Sequence, residues 1–192
     1  MSLSIKGLVK RFGEKTLFDG FSYEFSNNGL YFLCGESGVG KTTLLRLIAG
    51  LDKDYVGEIS GGGLKEVSFQ FQEYRLFPEL NVLQNATLGC HRSKSKIEKA
   101  KQYLERLWLD PNTLKLRPDA LSGGMKQRVS LVRALMKDSG ILILDEPTKE
   151  LDPKLCAVVN EIIKEESKKR LVIVVSHRTD DLSSFSSNII YI

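Results

Sequence analysis

The stretch GLYFLCGESGVGKTTLLRLIAG, residues 29–50, decides the fold. Its first six residues are mostly apolar and predict a buried strand, whereas the apolar residues between positions 44 and 49 recur at the spacing of one helix face. Between these two segments, GESGVGKT at Gly35–Thr42 matches the pattern G-x-x-x-x-G-K-[ST]. Glycines in such a loop let backbone N–H groups turn towards an anion at a helix N-terminus. The stretch therefore predicts a phosphate-binding loop in an α/β protein.

Two side chains of this loop have predicted roles of their own. Lys41 would reach the β- and γ-phosphates of a nucleotide, and the hydroxyl of Thr42 would bind Mg²⁺. The nucleotide expected here is ATP, held together with its magnesium ion. The predicted phosphate contacts are Gly35, Glu36, Ser37, Gly38, Val39, Gly40, Lys41, Thr42 and Thr43.

Length and charge narrow the classes of protein further. The chain has 192 residues and a net charge of +4, which suits one main core and is too weak a charge to predict a nucleic-acid surface. Its longest apolar runs, Leu30–Cys34 and Leu171–Val175, are far shorter than the roughly 18 residues of a membrane helix. The first residues, MSLSIKGLVKRF, contain no apolar signal segment, so we expect a cytoplasmic protein. Its three cysteines are expected to be reduced.

The rest of the chain alternates between strand and helix patterns. Apolar strands that alternate with helices predict a mainly parallel sheet covered on both faces. Trp108 falls on the apolar stripe of a helical region, which predicts a place in the core. The predicted segments are an antiparallel hairpin in 9–25, strands at 66–71, 141–144 and 171–176, and helices within 80–117, from 122 to 136 and over 153–167.

Two more motifs carry chemistry. ILILDEPT, at Ile141–Thr148, ends an apolar strand in two carboxylates, where Asp145 could hold Mg²⁺ through water and Glu146 could take a proton from an attacking water. LSGGMKQR, at 121–128, places Ser122 and two glycines at a helix N-terminus, which is a second anion site. Each motif alone is also compatible with an ordinary helix cap. Their combination with the phosphate loop is more informative.

These three motifs, in this order, resemble the nucleotide-binding ATPase subunit of an ABC transporter. The resemblance covers nearly the whole chain. It implies an α/β fold with a RecA-like P-loop NTPase core, an N-terminal antiparallel β subdomain and a small helical subdomain at about 81–122. Residues 1–192 would then form a single ABC ATPase domain. Only 15 residues follow His177, so the usual C-terminal helix of the family is expected to be missing.

The resemblance also assigns four positions outside the three motifs. Gln72 matches the family's glutamine loop, with Gln70 as the competing position, and His177 matches its switch histidine. Phe12 matches the aromatic residue that stacks on adenine, although Phe18 or Tyr23 could take that place. Asp152 matches the D-loop aspartate.

The D-loop departs from the family pattern, because Lys149-Glu150-Leu151-Asp152 replaces the more usual Ser-Ala-Leu-Asp. Glu150 would put a charge near the interface between two subunits.

The family mechanism is implied as well. Two subunits, identical or different, would pair head to tail, with each ATP between the P-loop of one and Ser122, Gly123 and Gly124 of the other. The expected metal ligands are Thr42, Gln72 and Asp145, and the expected catalytic residues are Lys41, Gln72, Glu146 and His177. A membrane permease formed by other chains would hold the dimer at the inner face of the cell membrane, and no nucleic-acid partner is expected.

Several functions remain open within this family. The SGGMKQR form of the motif at 121–128 resembles that of importers of the nitrate, sulfonate and taurine type. Lipoprotein-release and peptide-export ATPases are the competing assignments. A soluble ABC ATPase acting on ribosomes, DNA or iron-sulfur assembly is a different class, although Leu121 follows Gly40 by only 81 positions and leaves no room for the coiled coil of chromosome and repair ATPases. A module that binds ATP without hydrolysis conflicts with the intact set of catalytic residues.

Overall fold

Two sheets organise the computed structural model, which describes residues 2–61, 67–90, 93–176 and 188–192. One sheet is antiparallel with the order β2-β1-β4, and the other has the order β5-β6-β7-β3-β8 with every neighbouring pair parallel. The strands are β1 (Ser4–Phe12), β2 (Lys15–Glu24), β3 (Gly29–Cys34), β4 (Val56–Ser60), β5 (Val67–Gln70), β6 (Ile141–Asp145), β7 (Leu171–Val175) and β8 (Asn188–Tyr191). The predicted α/β class with a parallel core sheet is confirmed.

Within the residues that the structure describes, five α-helices connect and cover the strands. They are α1 (Lys41–Ile48), α2 (Val82–Ala86), α3 (Lys94–Arg106), α4 (Gly123–Met136) and α5 (Pro153–Ser167), with short 3₁₀ turns at Thr113–Lys115 and Pro118–Ala120. In the described ranges, none of the helices combines the length and the apolar character that crossing a bilayer requires.

The parallel sheet is buried on both faces because its strands alternate between two apolar clusters. In β6, Leu142 and Leu144 pack with residues of α4 and α5, whereas Ile141 and Ile143 pack with residues of α1 and the antiparallel sheet. Such two-sided burial explains why these strands read as continuous apolar runs.

The carboxyl ends of three adjacent strands meet at one edge of this sheet. In the parallel registers, Leu33 of β3 lies beside Val175 of β7, and Val175 lies beside Asp145 of β6. Ligands of parallel α/β sheets bind at this edge. The glycine loop after β3 and the carboxylates after β6 are thus brought to the same place.

Trp108 does not lie in the core as predicted, because its side chain is 52% exposed. Helix α3 ends at Arg106, and Trp108 adopts a left-handed backbone with φ of 59°. The apolar stripe therefore stops at Leu107, and Leu109 becomes buried after the turn while Trp108 faces outwards.

Candidate nucleotide-binding site

The loop Gly35–Gly40 can form only because its glycines accept unusual backbone conformations and close neighbours. Gly38 and Gly40 have φ of 80° and 117°, in the left-handed region that favours glycine. A Cβ at Gly40 would lie 2.7 Å from Cδ2 of Leu17, so strand β2 packs directly on the loop. Helix α1 begins at the next residue, and its N-terminus points at the space that the loop encloses.

Lys41 lies across this loop. Its Nζ donates hydrogen bonds to the carbonyl oxygens of Gly35 and Glu36, both at 2.8 Å, and the residue is only 6% exposed. These two bonds hold a buried ammonium group at the mouth of the loop. It is placed to neutralise a phosphate bound to the backbone N–H groups.

Thr42 and Asp145 join the helix N-terminus to the end of β6. The hydroxyl of Thr42 donates a hydrogen bond of 3.0 Å to Oδ2 of Asp145, whose residue is 2% exposed. A hydroxyl and a carboxylate are oxygen ligands of the kind that Mg²⁺ prefers. The two oxygens are close enough to serve one ion, directly or through water.

Glu146 is fixed by its backbone beside this pair. Its N–H donates to the carbonyl oxygen of Val175 at 2.9 Å, and its own carbonyl oxygen accepts from Nε2 of Gln127 at 2.8 Å. The residue is 8% exposed and has a φ of 57°, which is uncommon for a residue with a side chain. Strain of this kind persists where the surroundings hold a functional residue in one geometry.

A cavity of 390 Å³ unites these groups, within the usual size range of ligand pockets. It contains ten of the predicted site residues, and it also contains Lys15, Leu17 and Val175, which the sequence reasoning missed. The lining residues are Phe12, Lys15, Leu17, Ser37, Gly38, Gly40, Lys41, Thr42, Thr43, Gln72, Asp145, Glu146 and Val175.

The structure separates the alternatives for the aromatic and glutamine positions. Phe12 lines the cavity and is 53% exposed, whereas Phe18 is buried and neither it nor Tyr23 is among the lining residues. Gln72 lines the cavity, whereas Gln70 is fully buried and its amide has no hydrogen-bond partner among the described residues. Phe12 and Gln72 are therefore the members of each set that line the cavity.

A buried lysine contacts the ring of Phe12. Lys10 is 2% exposed, and its Nζ lies 4.8 Å from the ring centre of Phe12. The same ammonium forms ion pairs of 3.0 Å with Asp52 and 3.2 Å with Asp54. A cation over a ring face restrains the ring, so Phe12 is anchored even though half of it is exposed.

Some predicted residues are described by the structure but are not among those that line the cavity. Gly35, Glu36 and Val39 build the loop without lining the space, and His177 lies outside the described residues. The oxygen of Ser122 caps α4 by accepting from the N–H of Met125 at 3.3 Å.

The D-loop aspartate also has a structural role. Oδ1 of Asp152 accepts from the N–H groups of Lys154 and Leu155 at 3.0 and 3.1 Å, and so caps α5. Like Ser122, Gly123 and Gly124, Asp152 is absent from the cavity lining in the described part of the chain.

The donor set fits magnesium delivered with a nucleotide. Within the described ranges, no three His, Cys, Asp or Glu residues form a cluster that could hold a metal by themselves. Magnesium in nucleotide sites takes few protein ligands and completes its shell with phosphate oxygens and water. Thr42, Asp145 and the nearby Gln72 suit that arrangement.

A glycine loop between a strand and a helix, a buried lysine across it and a hydroxyl paired with a strand-end carboxylate define a P-loop nucleotide-binding protein. A family model described as ABC transporter matches residues 18–149. The chain belongs to the ABC transporter family, and it is an ATP-binding ATPase of that family.

Three import ATP-binding proteins share this sequence at moderate identity. The aliphatic sulfonates import ATP-binding protein SsuB of Bacillus cereus is 36% identical over 203 residues, which cover 99% of this chain and 80% of the relative. The Fe(3+) ions import ATP-binding protein FbpC 1 of Rhodococcus jostii is 35% identical and is matched over 98% of this chain and 58% of its own length. The sulfate/thiosulfate import ATP-binding protein CysA of Vibrio vulnificus is 37% identical over 175 residues, or 81% of this chain and 50% of the relative.

A solved structure has the same fold. The ATP-binding cassette MJ0796, in a dimeric post-hydrolysis state bound to ADP and Pi, matches with a TM-score of 0.85 at 26% identity. The match covers 99% of this chain and 94% of that chain. The predicted ABC ATPase fold is confirmed.

Proposed function

We propose that this ATPase is the subunit that powers uptake of a small solute through a separate membrane permease. The observation that carries the proposal is the hydrogen bond between Thr42 and Asp145 inside a cavity that Glu146 also lines. Support for import comes from the relatives, whose names describe import of aliphatic sulfonates, ferric ions and sulfate or thiosulfate. A solute of the nitrate, sulfonate or taurine type is the finer form of the proposal.

The site residues divide the reaction among them. Phe12 stacks on adenine, while the loop N–H groups and Lys41 bind the phosphates. Thr42 and Asp145, with Gln72, would hold Mg²⁺, which would supply charge neutralisation to the phosphates. Glu146 accepts a proton from the attacking water, and His177 and Gln72 respond to the γ-phosphate.

Two subunits complete the ATP site. Ser122, Gly123 and Gly124 offer anion donors at the start of α4, yet they lie outside the cavity of their own chain as described. A second subunit turned head to tail brings its α4 N-terminus to this cavity, so ATP joins two copies or one copy and a sister subunit. Hydrolysis then reopens the pair.

The permease would dock beside the Gln72 loop. A groove of 290 Å³ opens there, with an apolar floor that includes Leu51, Phe69 and Phe71 and a basic rim formed by Arg133 and Lys137. A short cytoplasmic segment of a permease with apolar and acidic side chains would match this surface. In this arrangement residues 1–192 act as one ATPase domain, with 81–122 as its helical subdomain, at the inner face of the membrane.

Hydrolysis and pairing are tested with the purified chain. We expect phosphate release that requires both ATP and Mg²⁺, and we expect Glu146→Gln to lower its rate by at least about 100-fold because the general base is lost. The same variant should become dimeric in ATP and Mg²⁺ by light scattering. A Glu146→Gln chain that binds ATP and stays monomeric would refute pairing of identical subunits.

The transport role is tested by purifying the tagged chain from detergent-solubilised membranes and identifying what accompanies it by mass spectrometry. A multi-span membrane protein supports the proposal, and the solute-binding proteins encoded or purified with it separate import from export or lipoprotein release. Recovery of soluble or ribosomal partners alone would favour the competing class of soluble ABC ATPases.

A further inference from the structure

The D-loop of the same chain covers Gly123 and Gly124, the two glycines of LSGGMKQR at 121–128, which is the signature motif of the family. A Cβ at Gly123 would overlap the carboxylate of Glu150 and would lie 3.0 Å from the hydroxyl of Tyr74. A Cβ at Gly124 would lie 3.0 Å from the carbonyl oxygen of Glu150 and 3.7 Å from Cδ2 of Leu151. The glycines thus allow Glu150 to lie directly against the first turn of α4.

A hydrogen bond holds the Glu150 side chain in this position. The hydroxyl of Tyr74 donates to Oε2 of Glu150 at 2.6 Å, a short distance that is typical of a bond to a charged acceptor. This bond, together with burial and the nearby negative charge, raises the pKa of Tyr74 to about 12, so the phenol remains a donor at physiological pH. Glu150 itself has a φ of 64°, which turns its side chain back towards α4.

The Tyr74 end of this contact is anchored as well. Arg133 of α4 donates to the carbonyl oxygens of Tyr74 and Arg75, at 2.9 and 2.6 Å. The guanidinium of Arg75 lies 3.8 Å from the ring centre of Phe71. The Gln72 loop, the D-loop and the signature motif are therefore joined within one subunit through Tyr74 and Glu150.

This contact conflicts with the phosphate that the signature motif would receive. A carboxylate near the start of a helix is favoured by the partial positive charge of the helix end, as a phosphate would be. Two anions at one helix end repel each other, more strongly as water is excluded between two subunits. Glu150 therefore competes for the surface that a partner's ATP would use.

We propose that Tyr74 and Glu150 form a latch over Gly123 that opposes ATP-driven pairing and must open before the signature motif can bind the partner's γ-phosphate. The proposal rests on the head-to-tail pairing described under Proposed function. Opening moves the Glu150 carboxylate away from α4 and frees the Tyr74 hydroxyl. Glu150 acts here as a positioning residue that sets how much ATP is needed for pairing.

The test uses the full chain carrying Glu146→Gln, so that ATP is not consumed. Two further substitutions are compared in that background: Glu150→Gln, which removes the charge and keeps the shape, and Tyr74→Phe, which removes the donor and keeps the charge. Glu58→Gln on exposed strand β4 is the control, because it makes the same change of net charge in the antiparallel sheet, outside the contact between the D-loop and α4. The readouts are the ATP concentration for half-maximal dimer by light scattering, and the ATP affinity of the dilute monomer by displacement of a fluorescent nucleotide.

We expect Glu150→Gln to lower the ATP concentration for half-maximal dimer by about fivefold or more, with the monomer affinity unchanged. Tyr74→Phe should lower it less, since the freed carboxylate remains nearby, and Glu58→Gln should leave it unchanged. If the parent pairs and Glu150→Gln pairs no better, or worse, the latch is refuted while the pairing stands. If neither pairs at ATP concentrations that saturate the monomer, pairing of identical subunits is refuted and the latch with it.

Discussion

Thr42 and Asp145 show how far apart in sequence the groups of one site can lie, since 103 residues separate two side chains that share a hydrogen bond of 3.0 Å. Both positions were predicted, because each ends or begins an element at the carboxyl edge of a parallel sheet. Because of this contact, removing the hydroxyl of Thr42 tests whether the pair binds magnesium.

We predict that Thr42→Val abolishes magnesium-dependent hydrolysis, with a loss of about 100-fold or more, because it replaces the hydroxyl ligand with a methyl group. Thr42→Ser, which keeps the hydroxyl, should retain most of the activity. Phosphate release as a function of Mg²⁺ concentration measures both. Full activity of Thr42→Val would show that this hydroxyl is not a metal ligand.

Lys15 lines the same cavity from strand β2, on the same face as Leu17. An exposed ammonium near phosphates adds a modest attraction, so we predict that Lys15→Met weakens ADP and ATP binding about three- to tenfold. Binding of adenosine, which has no phosphate, should not change. Equal losses for adenosine and ADP by calorimetry would mean that Lys15 acts through packing instead of charge.

The residues missed by sequence reasoning share a physical cause. Motif residues are adjacent in sequence or end neighbouring strands, so their pattern predicts a common site. Lys15 and Leu17 enter the site only because the β1–β2 hairpin packs on Gly40, with Leu17 filling the space where a Cβ would be. That packing depends on how two sheets meet, which no local pattern encodes.

Two helices end with the same hydrogen bonds but with different residues in the left-handed position. After α1, Gly50 has φ of 66° and Leu51 donates to the carbonyl oxygen of Arg46 at 2.9 Å. After α3, Trp108 has φ of 59° and Leu109 donates to Leu104 at 2.9 Å. Glycine is the usual residue here because a side chain is strained in this conformation.

At both positions glycine should be more stable than alanine, which is the reverse of the usual order of these two residues inside helices. At position 108, the Trp108→Gly variant should be more stable than Trp108→Ala by about 1 kcal/mol, and Gly50→Ala should cost about 1 kcal/mol. In a domain of this size each difference corresponds to about 2–4 °C in Tm. Calorimetric scans of the parent chain, Trp108→Gly, Trp108→Ala and Gly50→Ala measure these differences. A Trp108→Ala variant with a Tm equal to or above that of Trp108→Gly would contradict the strain.

At the level of elements, buried apolar strands and patterned helices were predicted well, whereas two mostly exposed strands were not. Strand β3 and helix α5 have the predicted bounds, whereas β4 and β8 were not predicted. Strand β4 is mostly exposed and contains Gly57, where a Cβ would lie 2.5 Å from the carbonyl oxygen of Gly7. Gly57 lets β1 approach closely, whereas in the sequence alone a glycine at this position indicates a turn.

On the scale of the whole molecule, ion pairs link the helical region to the core. Arg106 of α3 forms two hydrogen bonds of 2.6 Å with Glu165 of α5. The hydroxyl of Tyr103 donates to Glu166 at 3.2 Å, and Glu166 pairs with Arg170 at 2.6 Å, with both members of this pair buried. Burial and the Glu166 carboxylate raise the pKa of Tyr103 to about 12.

Glu166 should make this link sensitive to acid. Burial alone would raise its pKa, but the hydrogen bond from Lys169 and the charges of Arg170 and Lys169 outweigh burial and lower the pKa below its ordinary value. A lowered pKa adds stability above the unfolded pKa, about 4.3, and that stability is lost as pH falls through the folded pKa.

We therefore predict that Glu166→Gln lowers the free energy of unfolding by about 3 kcal/mol at pH 7, because Arg170 is left buried beside a neutral group. The difference between the two proteins should shrink below about pH 4. Urea titrations at several pH values measure it. A difference independent of pH down to pH 3 would show that the charge of Glu166 is not what stabilises the link.

The arrangement of the whole chain was predictable because the parallel sheet follows from alternating strands and helices, and the shared edge of its strands places the motifs together. The links between α3 and α5 were not predictable, because charged residues on an amphipathic helix are typical of a solvent-exposed face. Only the placement of the two helices side by side shows that they pair.

Helix α4 explains which parts of the chain can change length. Over about 21 Å it starts at the signature glycines, holds the carbonyl of Glu146 through Gln127 and holds the Gln72 loop through Arg133. One residue inserted between Gln127 and Arg133 would rotate Arg133 by about 100° around the helix and break its bonds. Insertions and deletions among relatives should therefore be absent from 123–136 and concentrated in the connections before and after it, a pattern that an alignment can check.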